Sequence, residues 1–442
     1  MKILVIGSGG REHALLWALG QRSAGRASLK LYCAPGNSGI AELADCVRID
    51  ATDIEGLARF AVEKEIDLTI VGGEAPLAAG LVDEFERHGL LVAGANKAAA
   101  RLESSKAFAK DFMTRHSIPT ARYRVAASTI EAQEILDSGA FGALDSPVVV
   151  KADGLAAGKG VVIASTRAEA GRAVNDLMTG GAVRAEAAQR ILIEETLRGR
   201  EASLLLFADG RDYALMPAAR DHKRVGERDT GPNTGGMGAI TDPSVLDEAT
   251  LERVVREVVE PTLKGARDEG FPFRGVLFIG LMLTQEGPRV LEYNVRFGDP
   301  EAQAILVRLQ TDLAAIFEAV ARGRLGELSI QWADASSACV VLAARGYPSQ
   351  PETGAPIEGL DKARNHEGVE IFHAGTTRSA EGVWLTAGGR VLGVTAAAAT
   401  LDAALARCYG AVGDIHWDGM HYRRDIGRFT ENSLDGPEAT GA

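Results

Sequence analysis

The chain opens on an uninterrupted apolar run, Lys2-Ile-Leu-Val-Ile-Gly7, that has no polar face. Such a run predicts a central strand of a parallel sheet, covered on both sides. A Gly-rich turn follows, then a helix from about Glu12 to Gly20. The scheme repeats: apolar strands are expected over 29–34, 67–72 and 90–94, with helical spacing between them. Alternation of this kind predicts βαβ units in a doubly wound parallel sheet. Gly-rich or Pro-containing loops follow the first three strands at their carboxyl ends, where ligands bind in such sheets.

The pattern changes near Arg101. Residues 104–116 read as a helix, and shorter strands begin after Ile118-Pro119. PVVVKADGLAAGKGVVIAS (147–165) sets a Gly-rich loop between two β runs, and Thr166-x-x-Glu169 opens the next helix as a capping box. RILIEETLRGREASLLLFA (190–208) predicts strand, short link, strand. From Pro217 to Ile240 the chain is polar, Gly-rich and nearly aperiodic, which predicts a long functional or mobile loop. A hairpin is expected over 275–294 around Gln285-Glu286-Gly287, followed by a helix with Asp299 as N-cap and Pro300 at N1. A third region of strands starts at about Trp332. Gly388-Gly389 predicts a tight hairpin turn there, and a helix covers roughly 400–410.

Composition narrows the function classes. The 442 residues carry 48 basic and 60 acidic side chains, a net charge of −12, which argues against generic nucleic-acid binding. Cys33, Cys46, Cys339 and Cys408 are far apart and form no CxxC, so neither a disulfide framework nor a zinc site is expected. The amino terminus lacks the order of a signal peptide, and no apolar run approaches the ~20 residues of a membrane span. A cytoplasmic enzyme is the expectation.

The turn GSGGREH carries the first candidate chemistry. Gly7 and Gly9 match a dinucleotide fingerprint, but Glu12 stands at its third glycine. The second strand ends in Ala34-Pro35-Gly36-Asn37, without the carboxylate a ribose needs. What remains is a helix N-terminus beside Arg11, which suits one phosphate. The stretch from Lys151 to Gly160 is not a P-loop, because Gly160 replaces the metal-binding hydroxyl and a strand follows. It reads instead as a glycine flap with lysine charge for a polyphosphate. Glu292 and Asn294, two apart on one strand, offer hard oxygen ligands on one face, suited to Mg²⁺. Arg296 adds an anion site beside them. The link Glu194-Glu195-Thr196-Leu197 presents backbone groups suited to an adenine edge, with Glu201 near for ribose hydroxyls. The segment Asp221–Arg224 with 231–238 reads as a binding loop, in which His222 is either a base or structural.

Ten stretches together carry a resemblance: GGREHAL, APGN, GxEAPL, SKAFAKDFM, KADGLAAGKGV, IEE, DHKRVGERDTGPNTGGMGA, NxRFGDPE, FHAGT and DIHWD, spanning residues 9 to 418. They resemble the phosphoribosylamine–glycine ligases of the ATP-grasp superfamily. The resemblance implies an α/β chain with an ATP-grasp fold. Residues 1–103 would form a doubly wound, Rossmann-like domain, and 104–328 the ATP-grasp domain, with 123–195 as a mobile ATP lid. Residues 329–442 would form an α+β domain with a polar tail. It implies ATP-dependent joining of glycine to 5-phosphoribosylamine through a glycyl phosphate, with Mg²⁺ or Mn²⁺. Partners would be these small molecules, with no nucleic acid or membrane, and the chain a monomer or weak homodimer.

The resemblance also assigns roles. Lys106 and Lys151 would contact ATP phosphates; Gly158, Lys159 and Gly160 would form the flap. Glu194, Glu195 and Leu197 would line the adenine site, Glu201 the ribose, and Glu292 and Asn294 the metal. Gly10, Arg11, Glu12, Asn37, Glu74 and Pro76 would cradle phosphoribosylamine. Arg296 would meet glycine's carboxylate or the acyl phosphate, and Asp221 glycine's ammonium. The chain departs from the family pattern twice. Gly73 stands where a proline is usual, which loosens the loop. The strand 278–283 lacks a further Glu, leaving a second metal with fewer protein ligands. Other ATP-grasp ligases, such as biotin-dependent carboxylases or formate-using transformylases, are the alternative enzymes. A nucleotide-sensing module is the non-catalytic alternative.

Overall fold

A computed structural model describes residues 1–21, 29–156, 160–181, 183 and 187–428. The amino-terminal part is a five-stranded parallel sheet in the order Asp45–Cys46, Lys30–Pro35, Lys2–Gly7, Leu68–Val71, Val92–Ala93. The apolar run at the chain start is central, and its alternate residues feed two cores. Leu4 and Ile6 pack with Leu57, Ala58 and Phe85 in one; Ile3 and Val5 pack with Leu15 and Leu16 in the other. That two-sided burial is why the run shows no polar face. The edge strand Asp45–Cys46 is exposed and two residues long, so it leaves no hydrophobic signature.

A four-stranded antiparallel sheet follows, in the order Tyr123–Ala126, Ile191–Glu195, Val148–Ala152, Val161–Ala164. Helices Thr129–Asp137 and Arg167–Met178 cover it around a core of its own, with Leu136, Val148, Val150, Val174 and Ile193. The capping box at Thr166 forms: its side chain accepts from Glu169 N–H at 3.2 Å. The Glu169 carboxylate closes the box one residue earlier than expected, on Ser165 N–H at 2.8 Å.

The largest sheet has nine strands. Its path runs Gly287–Asn294, Arg274–Thr284, Arg200–Asp209, Ala219–Asp221, Gly238–Thr241, Ser336–Ala343, Arg390–Ala398, Val369–His373, and the ninth strand, Tyr213–Leu215, pairs with Arg200–Asp209 off this path. The strands on either side of the 196–199 link therefore belong to different sheets.

Three local expectations are corrected. The segment Pro217–Ile240 is not an irregular loop; it holds four short strands, two of them inside the nine-stranded sheet. Strands of three or four residues are too short to show a period. Gly388-Gly389 does not turn a hairpin. Trp384–Thr386 pairs with Thr376–Arg378, while Arg390–Ala398 pairs with Ser336–Ala343 and Val369–His373. Gly388 serves close backbone passage instead: a Cβ on Gly375 would stand 2.6 Å from Gly388 Cα. Asp299 does not cap the next helix. That helix is Glu301–Leu306 and has no side-chain cap, because the Asp299 carboxylate is taken by Gln303 Nε2 at 2.8 Å and Arg390 Nη2 at 2.9 Å.

Candidate active site

The opening turn is organised by a carboxylate. Gly7 has φ +136°, and a Cβ there would stand 2.5 Å from the Glu12 side chain. A Cβ on Gly72 would stand 2.2 Å from Glu12 Oε1. Glu12 is 2% exposed and accepts from Gly9 N–H and Arg11 Nε, both at 2.6 Å. The residue at the third-glycine position therefore fills the turn from beneath and orients Arg11. Burial works against the Arg11 charge, but Glu12, Glu74 and Asp299 hold it protonated. Arg11 Nη1 also donates to Phe297 O at 3.1 Å, tying the turn to the segment after Asn294. Gly10 packs closely on the helix Glu301–Leu306, since its Cβ would stand 2.7 Å from Gln303 Nε2. Glu74 begins the helix Glu74–Ala79, with Pro76 buried in its first turn.

Arg296 is the hub of the site. Its Nε donates to Glu74 at 3.2 Å and its Nη2 to Glu103 at 2.7 Å and Asn294 Oδ1 at 3.1 Å. Nη1 donates to Phe297 O at 3.1 Å. Burial opposes ionisation of Glu74, but Arg296 and then Arg11 outweigh it and hold its pKa low. Glu103 is a site carboxylate outside the sequence-based expectations. Burial pushes it up to about 7, with Arg296 opposing, and its second oxygen accepts Val295 N–H at 2.8 Å. In sequence it is one acidic residue near the end of an amphipathic helix, with no motif to mark it.

Three lysines lie within electrostatic reach of Glu292. Lys106 Nζ donates to Gly154 O at 3.1 Å, and burial lowers its pKa despite Glu292 nearby. Lys151 Nζ lies 3.0 Å from Glu194 Oε2 and donates to Leu291 O at 3.3 Å. The register between the strands Arg274–Thr284 and Gly287–Asn294 slips at Gly280/Leu281, leaving Leu291 with no opposite residue. This bulge frees the carbonyl that Lys151 takes. Burial opposes ionisation of Glu292, but Lys223, Lys151, Lys106 and Arg296 outweigh it and keep it charged. Tyr293 points the other way, buried, with its hydroxyl 2.6 Å from Thr262 Oγ1.

Lys223 lies 3.2 Å from Glu201, and Glu201, then Asp221 and Glu292, raise its pKa against burial. Burial raises Asp221, with Lys223 opposing, and pushes buried Glu301 up to about 8, reinforced by Asp221. Glu195 is engaged by Arg122, whose backbone N–H and Nε reach it at 2.8 and 2.6 Å. Leu197 is half-buried in the link between the sheets. Gly160 O accepts from Ala152 N–H at 2.8 Å, while Gly158 and Lys159 lie outside the described residues. His222 is buried and its Nε2 accepts Gly427 N–H at 2.9 Å, which leaves that lone pair unavailable to a base.

Asn37 staples the turn to the last strands, donating to Ser8 O at 2.8 Å and to His373 O and Ala374 O at 3.2 Å each. Beside it, His13 Nδ1 accepts His373 N–H at 2.8 Å, and His373 Nε2 faces Arg364 Nη2 at 3.0 Å. Burial lowers His13 to about 4 and His373 to about 2, aided for His373 by His13 and Arg364. The folded state thus binds fewer protons than the unfolded chain, so this docking is fully stabilising above about pH 6.5 and is lost as pH falls. Comparing unfolding at pH 7.5 and 4.5, His13→Gln is expected to flatten the stability loss by on the order of 3 kcal/mol. An unchanged slope would contradict this.

The donors at Glu292 fit a hard divalent cation. A carboxylate held ionised and an amide oxygen lie two apart on one strand face, and among the described residues no group of three or more His, Cys, Asp or Glu could hold a metal. Two protein oxygens suit an ion that completes its shell with phosphate and water. A cavity of about 540 Å³ lined by Tyr213, Arg256, Lys264 and Arg267 shares no residue with this site.

Comparison with known proteins agrees along the chain. The phosphoribosylglycinamide synthetase N domain model matches residues 1–103, its ATP-grasp (A) domain 104–302 and its C domain 337–429. The phosphoribosylamine–glycine ligase of Brucella melitensis is 48% identical over 97% of this chain and 97% of its own. That of Mesorhizobium japonicum is 46% identical, covering 97% and 98%. The crystal structure of phosphoribosylamine–glycine ligase from Thermotoga maritima superposes with a TM-score of 0.80 at 33% identity, covering 96% of this chain and 100% of that one. A biotin carboxylase from Campylobacter jejuni, at TM-score 0.70 and 16% identity over 95% and 92%, shares the fold.

Proposed function

This chain belongs to the phosphoribosylamine–glycine ligase family, and from that premise we propose how its site divides the work. The reaction joins glycine to 5-phosphoribosylamine at the expense of ATP, giving glycinamide ribonucleotide, ADP and phosphate in purine biosynthesis. One observation carries the division. Arg296 bonds to Glu74, Glu103 and Asn294 and shares the Phe297 carbonyl with Arg11, so the Glu74 helix, the Glu292 strand and, through Arg11, the opening turn converge on one guanidinium. The amine substrate belongs on the turn side, with Gly10, Arg11, Asn37, Glu74 and Pro76; Glu12 acts from below by orienting Arg11. The nucleotide belongs on the lysine side, with Lys106, Lys151, the flap residues Gly158, Lys159 and Gly160, and Glu194, Glu195, Leu197 and Glu201. Glycine lies between, its carboxylate at Arg296 and its ammonium toward Asp221.

A carboxylate is a poor acyl donor to an amine, and phosphorylation turns its oxygen into a leaving group. A glycine carboxylate oxygen attacks the γ-phosphorus and ADP departs. The phosphoribosylamine nitrogen then attacks the acyl carbon, phosphate departs, and the nitrogen gives up a proton. The chain's part is positioning and charge neutralisation, by the lysines and Arg296. Glu292 and Asn294 would hold Mg²⁺ or Mn²⁺, which when bound neutralises phosphate charge. We read the enzyme as cytoplasmic and as a monomer or weak homodimer; no described helix is long and apolar enough to cross a membrane.

Phosphate release from ATP is expected to require glycine and phosphoribosylamine together, with neither bicarbonate nor formate replacing glycine. Glycine-independent release would sink the ligase reading. Arg11→Ala is expected to raise KM for phosphoribosylamine by roughly tenfold to a hundredfold, the worth of a charge-assisted hydrogen bond, and leave KM for ATP within about twofold. The reverse pattern would return a nucleotide to the opening turn.

A further inference from the structure

Lys110 has no place in the division above, yet its ammonium is buried beside the nucleotide lysine. It is 2% exposed, on the helix Lys106–Arg115, and its Nζ lies 3.2 Å from Glu194 Oε2. The same oxygen lies 3.0 Å from Lys151 Nζ. Two ammonium groups thus share one carboxylate, itself 2% exposed, whose other oxygen, Oε1, has no hydrogen-bond partner among the described residues. Burial opposes ionisation of Glu194, but Lys151 and Lys110 outweigh it.

The network reaches the Glu292 strand at consecutive residues. Lys110 Nζ donates to Thr120 Oγ1 at 2.7 Å, and Thr120 Oγ1 donates to Val290 O at 2.6 Å. Lys151 takes the next carbonyl, Leu291 O, directly. Glu194 and its two lysines therefore clamp the four-stranded sheet to the strand that bears Glu292.

Resting on the reading of Lys151 as a phosphate ligand, we infer that Lys110 is a positioning residue. By sharing the Glu194 carboxylate it leaves the Lys151 ammonium free to meet a nucleotide polyphosphate. A buried charge must find its countercharge. With Lys110 present, Glu194 keeps a partner when Lys151 turns to phosphate. Without it, Lys151 is the only cation among the described residues within salt-bridge distance of Glu194, and binding phosphate must draw away that carboxylate's remaining partner.

The test is a double-mutant cycle in the full chain with Lys110→Met, Glu194→Gln and both together, reading KM for ATP, kcat, KM for glycine, ADP affinity by calorimetry and thermal stability. Lys110→Met is expected to raise KM for ATP and the ADP dissociation constant about tenfold, with kcat and KM for glycine within about twofold. In the Glu194→Gln background, where no carboxylate competes for Lys151, the same change is expected to add less than about twofold. Equal effects in both backgrounds, an unchanged KM for ATP, or a uniform loss of stability and all kinetic parameters would overturn the inference. Lys151→Met separates the two readings. A normal KM for ATP in that variant sinks the phosphate assignment itself, whereas a normal value in Lys110→Met alone sinks only the coupling.

Discussion

Replacing Arg296 with lysine is expected to lower kcat by about a thousandfold, although the charge is kept. Four of the five guanidinium N–H groups are engaged, by Glu74, Glu103, Asn294 and Phe297 O, so the fork is fixed before any substrate arrives. A lysine ammonium has three donors on a flexible stem and cannot span Glu74 and Glu103 while facing a carboxylate in a fixed plane. The loss is expected to fall on kcat and kcat/KM alike, as for an interaction made chiefly in the transition state. Arg296→Met adds a stability cost of about 3 to 5 kcal/mol, because Glu74 and Glu103 lose the cation that offsets their burial. The lysine variant should melt close to the parent, which separates the two effects. Parent-like turnover in Arg296→Lys would remove Arg296 from the chemistry.

Glu292→Gln is the second large effect, a loss of roughly a hundredfold to a thousandfold in kcat. The substitution conserves shape and removes one negative charge. That charge faces Lys223, Lys151, Lys106 and Arg296, which hold the carboxylate ionised. Without it these four cations lose one of their counter-charges, and the hard ligand proposed for a divalent ion is gone. Rate measured against Mg²⁺ concentration should then rise only at much higher metal than for the parent. Full turnover with an unchanged metal dependence would refute the metal assignment.

Much of this site is legible in the sequence because its parts sit on local patterns. The run Lys2–Gly7 and its Gly-rich turn declare a strand and a helix start, and Glu12 declares itself by standing where a dinucleotide fold needs glycine. Glu292 and Asn294 share a face by strand alternation alone. What escapes the sequence depends on distant pairing. Glu103 and Lys110 are ordinary charged residues on amphipathic helices; only packing against Arg296 and Glu194 gives them a role. Asp299 has the residue type of an N-cap, but Arg390, 91 positions away, and Gln303 take its carboxylate. Two of the short strands of 217–240 are ordered by partners distant in sequence or on either side of the segment: Ala219–Asp221 pairs with Arg200–Asp209, and Gly238–Thr241 with Ser336–Ala343. His222 carries a motif-like setting, yet its ring is committed to Gly427 N–H.

Arg296 and the Glu292 strand are proposed to bring glycine's carboxylate against the γ-phosphate in one site. Positional isotope exchange tests this placement most directly, with ATP labelled with ¹⁸O at the β,γ-bridge and phosphoribosylamine left out. Scrambling of the bridge label is expected to require glycine and to be lost in both Arg296→Lys and Glu292→Gln. Scrambling without glycine, or glycine-dependent scrambling undiminished in both variants, would contradict it.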